Sequence, residues 1–250
     1  MPDFIASATA TPGLIWLIVA VLAAGTVRGF AGFGTAMIFL PVAAKFLSPF
    51  EAITALIAMD LIGPLPNMPR AFRDGHPPDV ARLGLGMIIA LPIGVFILTQ
   101  VAPEVFRYGL SVITGLLLVM LIMGLRYSGT LSRPMVYGTG VVSGFLGGAV
   151  GVAGPPVIML YMASENPPKV IRANITIYLL VIDIAMLAMF WLFGQLVASA
   201  FVLGLLLAVP YLLGNLLGAK MFRPEAERIY RIVAYAIIGV SALSGLPFLD

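Results

Sequence analysis

The sequence predicts an all-α polytopic membrane protein made of two inverted repeats. The first indication is composition: 61% of the 250 residues are hydrophobic and only 10% are charged, whereas a water-soluble domain carries roughly 25% charged residues. The second is a series of eight apolar segments, and the third is a set of motifs that occurs twice in the same order. Each repeat is expected to contain a re-entrant, glycine-rich helical hairpin and three transmembrane helices.

Most of the apolar segments have the length of about 17 to 25 residues that a helix needs to cross roughly 30 Å of hydrocarbon. The segments are roughly 14–47, 52–69, 83–101, 106–125, 135–163, 175–194, 196–219 and 230–249. No polar stretch is long enough for a soluble domain, so a single integral-membrane domain is expected. The first thirteen residues contain no Lys or Arg, so no cleaved signal peptide is expected.

The repeat is visible as matching motifs about 115 to 121 residues apart. The matched groups are Gly29-Phe30 and Pro41 with Gly144-Phe145 and Pro156, and Pro103-Glu104 and Arg107 with Pro224-Glu225 and Arg228. Because the order is kept and the spacing changes by only a few residues, we expect a duplicated half. The first half is 1–127 and the second is 128–250.

The leading segment of each half is long and interrupted. Residues 14–47 would form a helix of about 50 Å at 1.5 Å per residue, more than a bilayer needs. Glycine-rich stretches interrupt both leading segments, "RGFAGFG" in the first half and "SGFLGGAVGVAGPP" in the second. This pattern predicts two half-helices folded into a hairpin that enters and leaves the membrane on one side.

The positive charges favour these hairpins. If both leading segments return to their own side, only Lys45 and Arg107 lie on one face of the membrane. The other face then carries Arg70, Arg73, Arg82, Arg126, Arg133, Lys169, Arg172, Lys220, Arg223, Arg228 and Arg231. The positive-inside rule places this second face in the cytoplasm. The protein is therefore expected in the inner (plasma) membrane with both termini outside the cytoplasm, and the odd number of crossings per half makes the halves inverted.

A helix that begins inside the membrane presents free N–H groups and the positive end of its dipole, which suits an anion. We therefore expect an anion site at mid-membrane, between the two hairpins. The candidate residues are Gly29, Phe30, Gly32, Phe33, Gly34 and Thr35 in the first hairpin and Gly147, Gly148, Gly151, Val152 and Gly154 in the second. The alternative is that these small residues only let helices pack closely.

Charged and amide side chains inside the apolar segments extend the candidate site. Arg28 would bind an oxyanion with two hydrogen bonds; alternatively it pairs with Asp60 or Asp183, or extends to the membrane surface. The two aspartates are candidates for proton coupling, or else cap helices or pair with Arg28. Asn67 and Asn174 are ligand candidates, or else form hydrogen bonds between helices.

The sequence gives little support for an enzyme, a cofactor or a metal site. It contains no cysteine and a single histidine, His76, so neither a metal cluster nor a cysteine nucleophile is expected. Ser143 lies beside a glycine, but nothing predicts that His76 reaches it as a base. The net charge of +3 does not indicate a nucleic-acid partner. The expected partners are a small anion and the lipid bilayer, and a homo-oligomer is compatible with the sequence.

The motifs "VRGFAGFGTAMIFLPV" and "SGFLGGAVGVAGPPVIMLYMA" resemble the paired signatures of the TauE/SafE sulfite exporter family, over roughly residues 14–248. The resemblance implies an inner-membrane protein that moves small sulfur-containing anions. It maps the first signature onto Gly29, Gly32, Gly34 and Pro41, and the second onto Gly144, Gly147, Gly151, Gly154 and Pro156. The usual triple-glycine run is replaced by "GFGTA" and "GVAGPP" here.

Together these observations predict a secondary transporter that exports a small sulfur-containing anion such as sulfite, sulfoacetate or another organosulfonate. Coupling to the proton gradient is expected through Asp60 and Asp183. The alternative is a passive anion channel of the same fold. Loss of a pH-dependent flux when either aspartate is replaced by asparagine separates the two.

Overall fold

The computed structural model describes residues 8–63, 68–124, 131–162, 164, 166–221 and 227–246. Within these ranges the secondary structure is helical and contains no strand. The helices are α1 (Leu14–Ala31), α2 (Thr35–Ala43), α3 (Pro49–Ile62), α4 (Met68–Asp74), α5 (Pro77–Gln100), α6 (Pro103–Ile122), α7 (Arg133–Val150), α8 (Gly154–Met162), α9 (Pro168–Leu192), α10 (Ala198–Met221) and α11 (Glu227–Ser244).

Each of the eight apolar segments corresponds to a helix or, for the two leading segments, to a pair of helices. Five helices of the described chain are long and apolar enough to cross a membrane: α1, α5, α6, α9 and α10. The short helix α4 was not expected. With 14 residues, α3 is only about 21 Å long, and α11 begins with charged residues. The fold is therefore that of an all-α polytopic membrane protein.

The chain forms two compact units, and each unit combines helices from both halves of the sequence. The first unit consists of Met1–Met59, Ala102–Ile122 and Leu196–Asp250, and the second of Asp60–Val101 and Met123–Gln195. The first unit thus contains α1, α2, most of α3, α6, α10 and α11. The second contains α4, α5, α7, α8 and α9.

In the first unit α1 packs closely against α10 through glycines on both helices. A Cβ atom at Gly25 would lie 2.4 Å from the Tyr211 carbonyl oxygen, and one at Gly218 would lie 2.0 Å from the Thr26 carbonyl oxygen. The residue numbers of the contacting pairs increase in the same direction along both helices, since Gly214 lies against Leu22 and Gly218 lies against Thr26. The two helices therefore run parallel, with their backbones in direct contact.

The second unit repeats this arrangement with α7 and α5. A Cβ atom at Gly140 would lie 2.2 Å from the Leu83 carbonyl oxygen, and one at Gly148 would lie 2.6 Å from that of Leu91. Here too the residue numbers of the contacting pairs increase in the same direction along both helices, so the helices are parallel. In both units the first limb of a hairpin packs against the third apolar segment of the other sequence half.

The first hairpin returns to the end at which it begins. The ring of Phe46, just after α2, lies against Gly13, just before α1; a Cβ atom at Gly13 would lie 2.4 Å from it. Thr11, Phe46 and Ser199 also line one cavity, so the start of α10 lies at this end as well. The limbs are unequal, because α1 has 18 residues and α2 has nine. The first limb, about 27 Å long, is longer than the half-helix expected.

Candidate functional site

The break in the first hairpin is made by two glycines with left-handed backbone geometry. Gly32 has φ 81° and Gly34 has φ 105°, a region that residues with a side chain rarely adopt. Gly32 ends α1, and its N–H donates to the Arg28 carbonyl at 2.8 Å. Phe33 lies between the glycines and is buried. The sequence therefore encodes this turn through Gly32 and Gly34, as the motif predicted.

The start of α2 has N–H donors that the helix itself does not use. The first helical bond runs from the Ile38 N–H to the Gly34 carbonyl, so the N–H groups of Thr35, Ala36 and Met37 have no acceptor within the helix. The N-cap residue is Gly34, which provides no side-chain cap. These three donors, at the positive end of the helix dipole, suit an anion.

Arg28 is held at this break by a chain of polar contacts. Its Nη1 donates to the Thr35 hydroxyl at 3.3 Å, and that hydroxyl lies 3.3 Å from the Tyr211 hydroxyl. Thr35 and Tyr211 are almost completely buried. Arg28 lies in the last turn of α1, where its positive charge also interacts favourably with the helix dipole.

The position of this break relative to α10 follows from the contacts of Gly29. Gly29, one turn before the break, lies against residues 215–219 of α10, with a Cβ position 2.2 Å from the Asn215 carbonyl oxygen. Since α10 ends at Met221, Gly29 lies beside its last two turns, whereas Thr35 after the break reaches the hydroxyl of Tyr211 nearer the middle of α10. Phe30 contacts Tyr230 of α11, with ring centroids 5.2 Å apart.

The second hairpin has the same limb lengths and a similar break. Gly151 ends α7 with φ 76°, and its N–H donates to the Gly147 carbonyl at 2.8 Å. Val152 follows within the break and is buried. However, α8 begins with Gly154 followed by Pro155 and Pro156. Because proline has no N–H, two of the three donors available at the first break are missing from the second.

A buried polar cluster supports the second break. The Ser143 hydroxyl donates to the carbonyl of Ala153 at 2.6 Å, and the Tyr178 hydroxyl donates to Ser143 at 2.7 Å. Ser143 and Tyr178 are both fully buried. The carbonyl in the break is therefore satisfied by protein, as irregular backbone inside a membrane requires.

Of the two predicted amide ligands, Asn174 is described and Asn67 lies outside the described residues. Asn174 is fully buried. Its Oδ1 accepts from the His76 N–H at 2.7 Å, and its Nδ2 donates to the Tyr161 hydroxyl at 3.2 Å. Asn174 thus connects α9 with α8 and with the turn before α5.

The two acidic candidates lie on α3 and α9. Asp60 lies near the end of α3 and Asp183 lies in the middle of α9, and both are half-buried. His76 contacts Asp79, with Nδ1 3.0 Å from Oδ2, and more than half of its side chain is exposed. Ser143 has Ala153 and Tyr178 as its partners.

The candidate glycines fall into three groups. Gly29 and Gly148 lie directly against a neighbouring helix backbone, and so does Gly144, as the packing alternative predicts. Gly32, Gly34 and Gly151 form the turns. Gly147 is close to Ile182 and Ala153, and Gly154 makes only ordinary contacts.

Tyr211 was not predicted as a site residue. Its hydroxyl reaches Thr35 from α10, although 176 residues separate the two in sequence. The only available signal was a tyrosine within an apolar segment, in "AVPYLLGN". Tyr178 was missed for the same reason.

Comparison with known proteins identifies the family. The family profile described as "Sulfite exporter TauE/SafE" matches residues 17–245. The chain is similar to the "Probable sulfite/organosulfonate exporter TauE" of Cupriavidus necator, with 27% identity over 242 residues that cover 91% of this chain and 92% of that protein. No solved structure matches significantly.

The match confirms the resemblance seen in the two glycine-rich motifs. With five apolar helices of membrane-spanning length, the family makes this chain a multi-pass membrane protein that transports an anion. The family comprises transporters and not enzymes. The chain belongs to the TauE/SafE sulfite exporter family.

Proposed function

We propose that the protein exports a small sulfur-containing anion, such as sulfite, sulfoacetate or another organosulfonate, by secondary transport. The observation that carries the proposal is the break of the first hairpin. There the free N–H donors at the start of α2 lie next to Arg28, whose guanidinium donates to Thr35 at 3.3 Å. Backbone N–H groups together with a guanidinium suit the oxygens of a sulfite or sulfonate group.

The anion is held mainly by the first hairpin. Pro155 and Pro156 remove two donors from the start of α8, and Gly147, Gly148, Gly151, Val152 and Gly154 then serve the turn and its packing. We place the site at the first break, next to Arg28 and the start of α2.

Proton coupling is the second part of the proposal, with Asp60 and Asp183 as the carriers. The purified protein is reconstituted in lipid vesicles, and sulfoacetate flux is measured with and without a pH gradient. Asp60→Asn or Asp183→Asn is expected to remove the response to the gradient and lower the driven flux by about tenfold or more, since a neutral amide cannot carry the proton. Glu51→Gln is the control, because Glu51 accepts from the Ser48 N–H at the start of α3, outside the proposed proton path.

The outcomes of this experiment separate the two candidate functions. A flux that ignores the pH gradient in the wild-type protein and in both variants indicates the passive anion channel. A wild-type protein that carries neither sulfite, sulfoacetate, taurine, thiosulfate nor sulfate contradicts the proposed substrate class.

The orientation in the membrane is the third part. We propose that the halves 1–127 and 128–250 are inverted repeats and that both termini face away from the cytoplasm of the inner membrane. The chain has no native cysteine, so single introduced cysteines can be labelled without background. Positions next to Lys45 and Arg107 are expected to react with an impermeant reagent added outside cells, and positions next to Arg73 and Arg172 are expected not to react. The reverse pattern contradicts this orientation.

A further inference from the structure

Two buried hydroxyl groups on α6 have no hydrogen-bond partner among the residues that the structure describes. They belong to Ser111, which is 4% exposed, and Thr114, which is completely buried. The residues are three positions apart and therefore lie on the same face of the helix. Both side chains are buried within the protein.

Two other hydroxyl groups in the helices of this chain avoid such isolation by bonding to their own backbone. Thr26 donates to the Leu22 carbonyl at 2.8 Å, and Thr176 donates to the Arg172 carbonyl at 2.8 Å. Ser111 and Thr114 have comparable carbonyls one turn earlier but do not use them. An unpaired buried hydroxyl is costly, and lipid provides no partner. Two such groups on one face of α6 form a buried polar surface that suits a ligand.

The surroundings of Ser111 locate this polar face within the first unit, where α2, α6 and α11 pack against one another. The Ser111 hydroxyl lies beside Gly245, just after α11; a Cβ atom there would be 2.7 Å from Oγ and 3.0 Å from the Pro41 side chain. The Ser111 hydroxyl therefore lies where the return limb of the first hairpin meets α6, and Thr114 follows three residues later on the same face.

The charge along the same face of α6 favours an anion. Arg107 precedes Ser111 by one turn, and its Nε atom is buried. Glu104 lies in the first turn of α6 but is exposed. The positive group is thus nearer to the hydroxyls than the negative one, and hydroxyl groups donate readily to anionic oxygen.

We propose that Ser111 and Thr114 form a second subsite for the transported oxyanion, with Arg107 at its entrance. The inference rests on the proposed function, because it assigns a second position to the same sulfite-like or sulfonate group. An anion that leaves the first hairpin would exchange the backbone N–H donors of α2 for the two hydroxyls of α6.

The test measures sulfoacetate transport by the full-length protein in lipid vesicles. Thr114→Val keeps the shape of the side chain and removes the hydroxyl; it is expected to raise KM by about tenfold, the effect of losing one hydrogen bond to a charged group. Ser111→Ala is expected to act in the same direction. Thr114→Ser retains the hydroxyl and is expected to keep KM near the wild-type value.

Thr54→Val is the matched control, because Thr54 on α3 is also completely buried and has no hydrogen-bond partner in the described chain. Removing its hydroxyl is expected to raise Tm and leave KM unchanged. Thr114→Val is expected to raise Tm in the absence of anion and to reduce the stabilisation that added sulfoacetate gives.

Three results overturn the subsite. The first is an unchanged KM in Thr114→Val and Ser111→Ala; the second is a KM for Thr54→Val that rises as much as that for Thr114→Val. The third is full stabilisation of Thr114→Val by sulfoacetate. In these cases the wild-type protein still transports, so the proposed function stands. A wild-type protein that transports none of the tested sulfur anions overturns both proposals.

Discussion

Gly140→Ala is expected to destabilise the second unit strongly, whereas Gly138→Ala, two residues away on the same helix, is expected to be harmless. A Cβ atom at Gly140 would lie 2.2 Å from the Leu83 carbonyl oxygen and 3.0 Å from the Leu83 Cα, while Gly138 has no atom within 4 Å of such a position. The obstacle at Gly140 is backbone, which cannot rotate away as a side chain does. Helices α5 and α7 must therefore separate along their whole contact.

The expected loss in the free energy of unfolding is about 1–3 kcal/mol or more for Gly140→Ala. For Gly138→Ala a gain of about 0.5–1 kcal/mol is expected, because alanine loses less backbone entropy in a helix than glycine. Thermal unfolding in detergent and the yield of monodisperse protein measure both variants. If Gly140→Ala unfolds at the same temperature as Gly138→Ala, the parallel packing of α5 and α7 described above is wrong.

The helical segments and both hairpins could be predicted because their causes are local. Apolar runs determine the helices, and Gly32, Gly34 and Gly151 determine the turns through backbone angles that other residues avoid. The membrane location follows from the same composition. The unexpected length of α1 is also a local effect, since the first residue with left-handed geometry after Gly13 is Gly32.

The partner of each hairpin could not be predicted in the same way. Whether α1 packs on α10 or on another helix depends on contacts between residues far apart in sequence, such as Gly25 with Tyr211. Glycines occur on several of the helices, so composition alone does not choose between them. The Thr35–Tyr211 contact depends on that choice; for this reason Tyr211 was missed although Arg28 and Thr35 were identified.

The two hairpins share a backbone plan but differ in the groups that support it. At the first break the supporting groups are Arg28, Thr35 and Tyr211. At the second they are Ser143 and Tyr178, which satisfy the Ala153 carbonyl. The first break thus has N–H donors that α2 itself does not use, together with the positive charge of Arg28. At the second break the backbone carbonyl of Ala153 accepts a hydrogen bond from a neutral hydroxyl. This difference supports an anion site at the first hairpin.

Arg28→Ala is therefore expected to raise KM for sulfoacetate by roughly tenfold to a hundredfold, which corresponds to about 1.5–3 kcal/mol for a hydrogen bond to a charged group. Arg28→Lys keeps the charge but cannot form the bidentate hydrogen bonds of a guanidinium, so an intermediate KM is expected. Transport in lipid vesicles provides the measurement. Arg172→Ala is the control, because Arg172 is exposed on α9.

The same variants decide between the roles that the sequence left open for Arg28. If Arg28 only stabilises α1 through the helix dipole, or pairs with Asp60 or Asp183, then Arg28→Ala lowers Tm but leaves KM near that of Arg172→Ala. If Arg28 binds the anion, KM rises, and the stabilisation by added sulfoacetate decreases.

Thr35→Val refines this result, since the Thr35 hydroxyl accepts a hydrogen bond from the Arg28 guanidinium at 3.3 Å. Thr35→Val removes this acceptor but keeps the guanidinium, so a smaller rise in KM than in Arg28→Ala indicates that Arg28 itself contacts the anion.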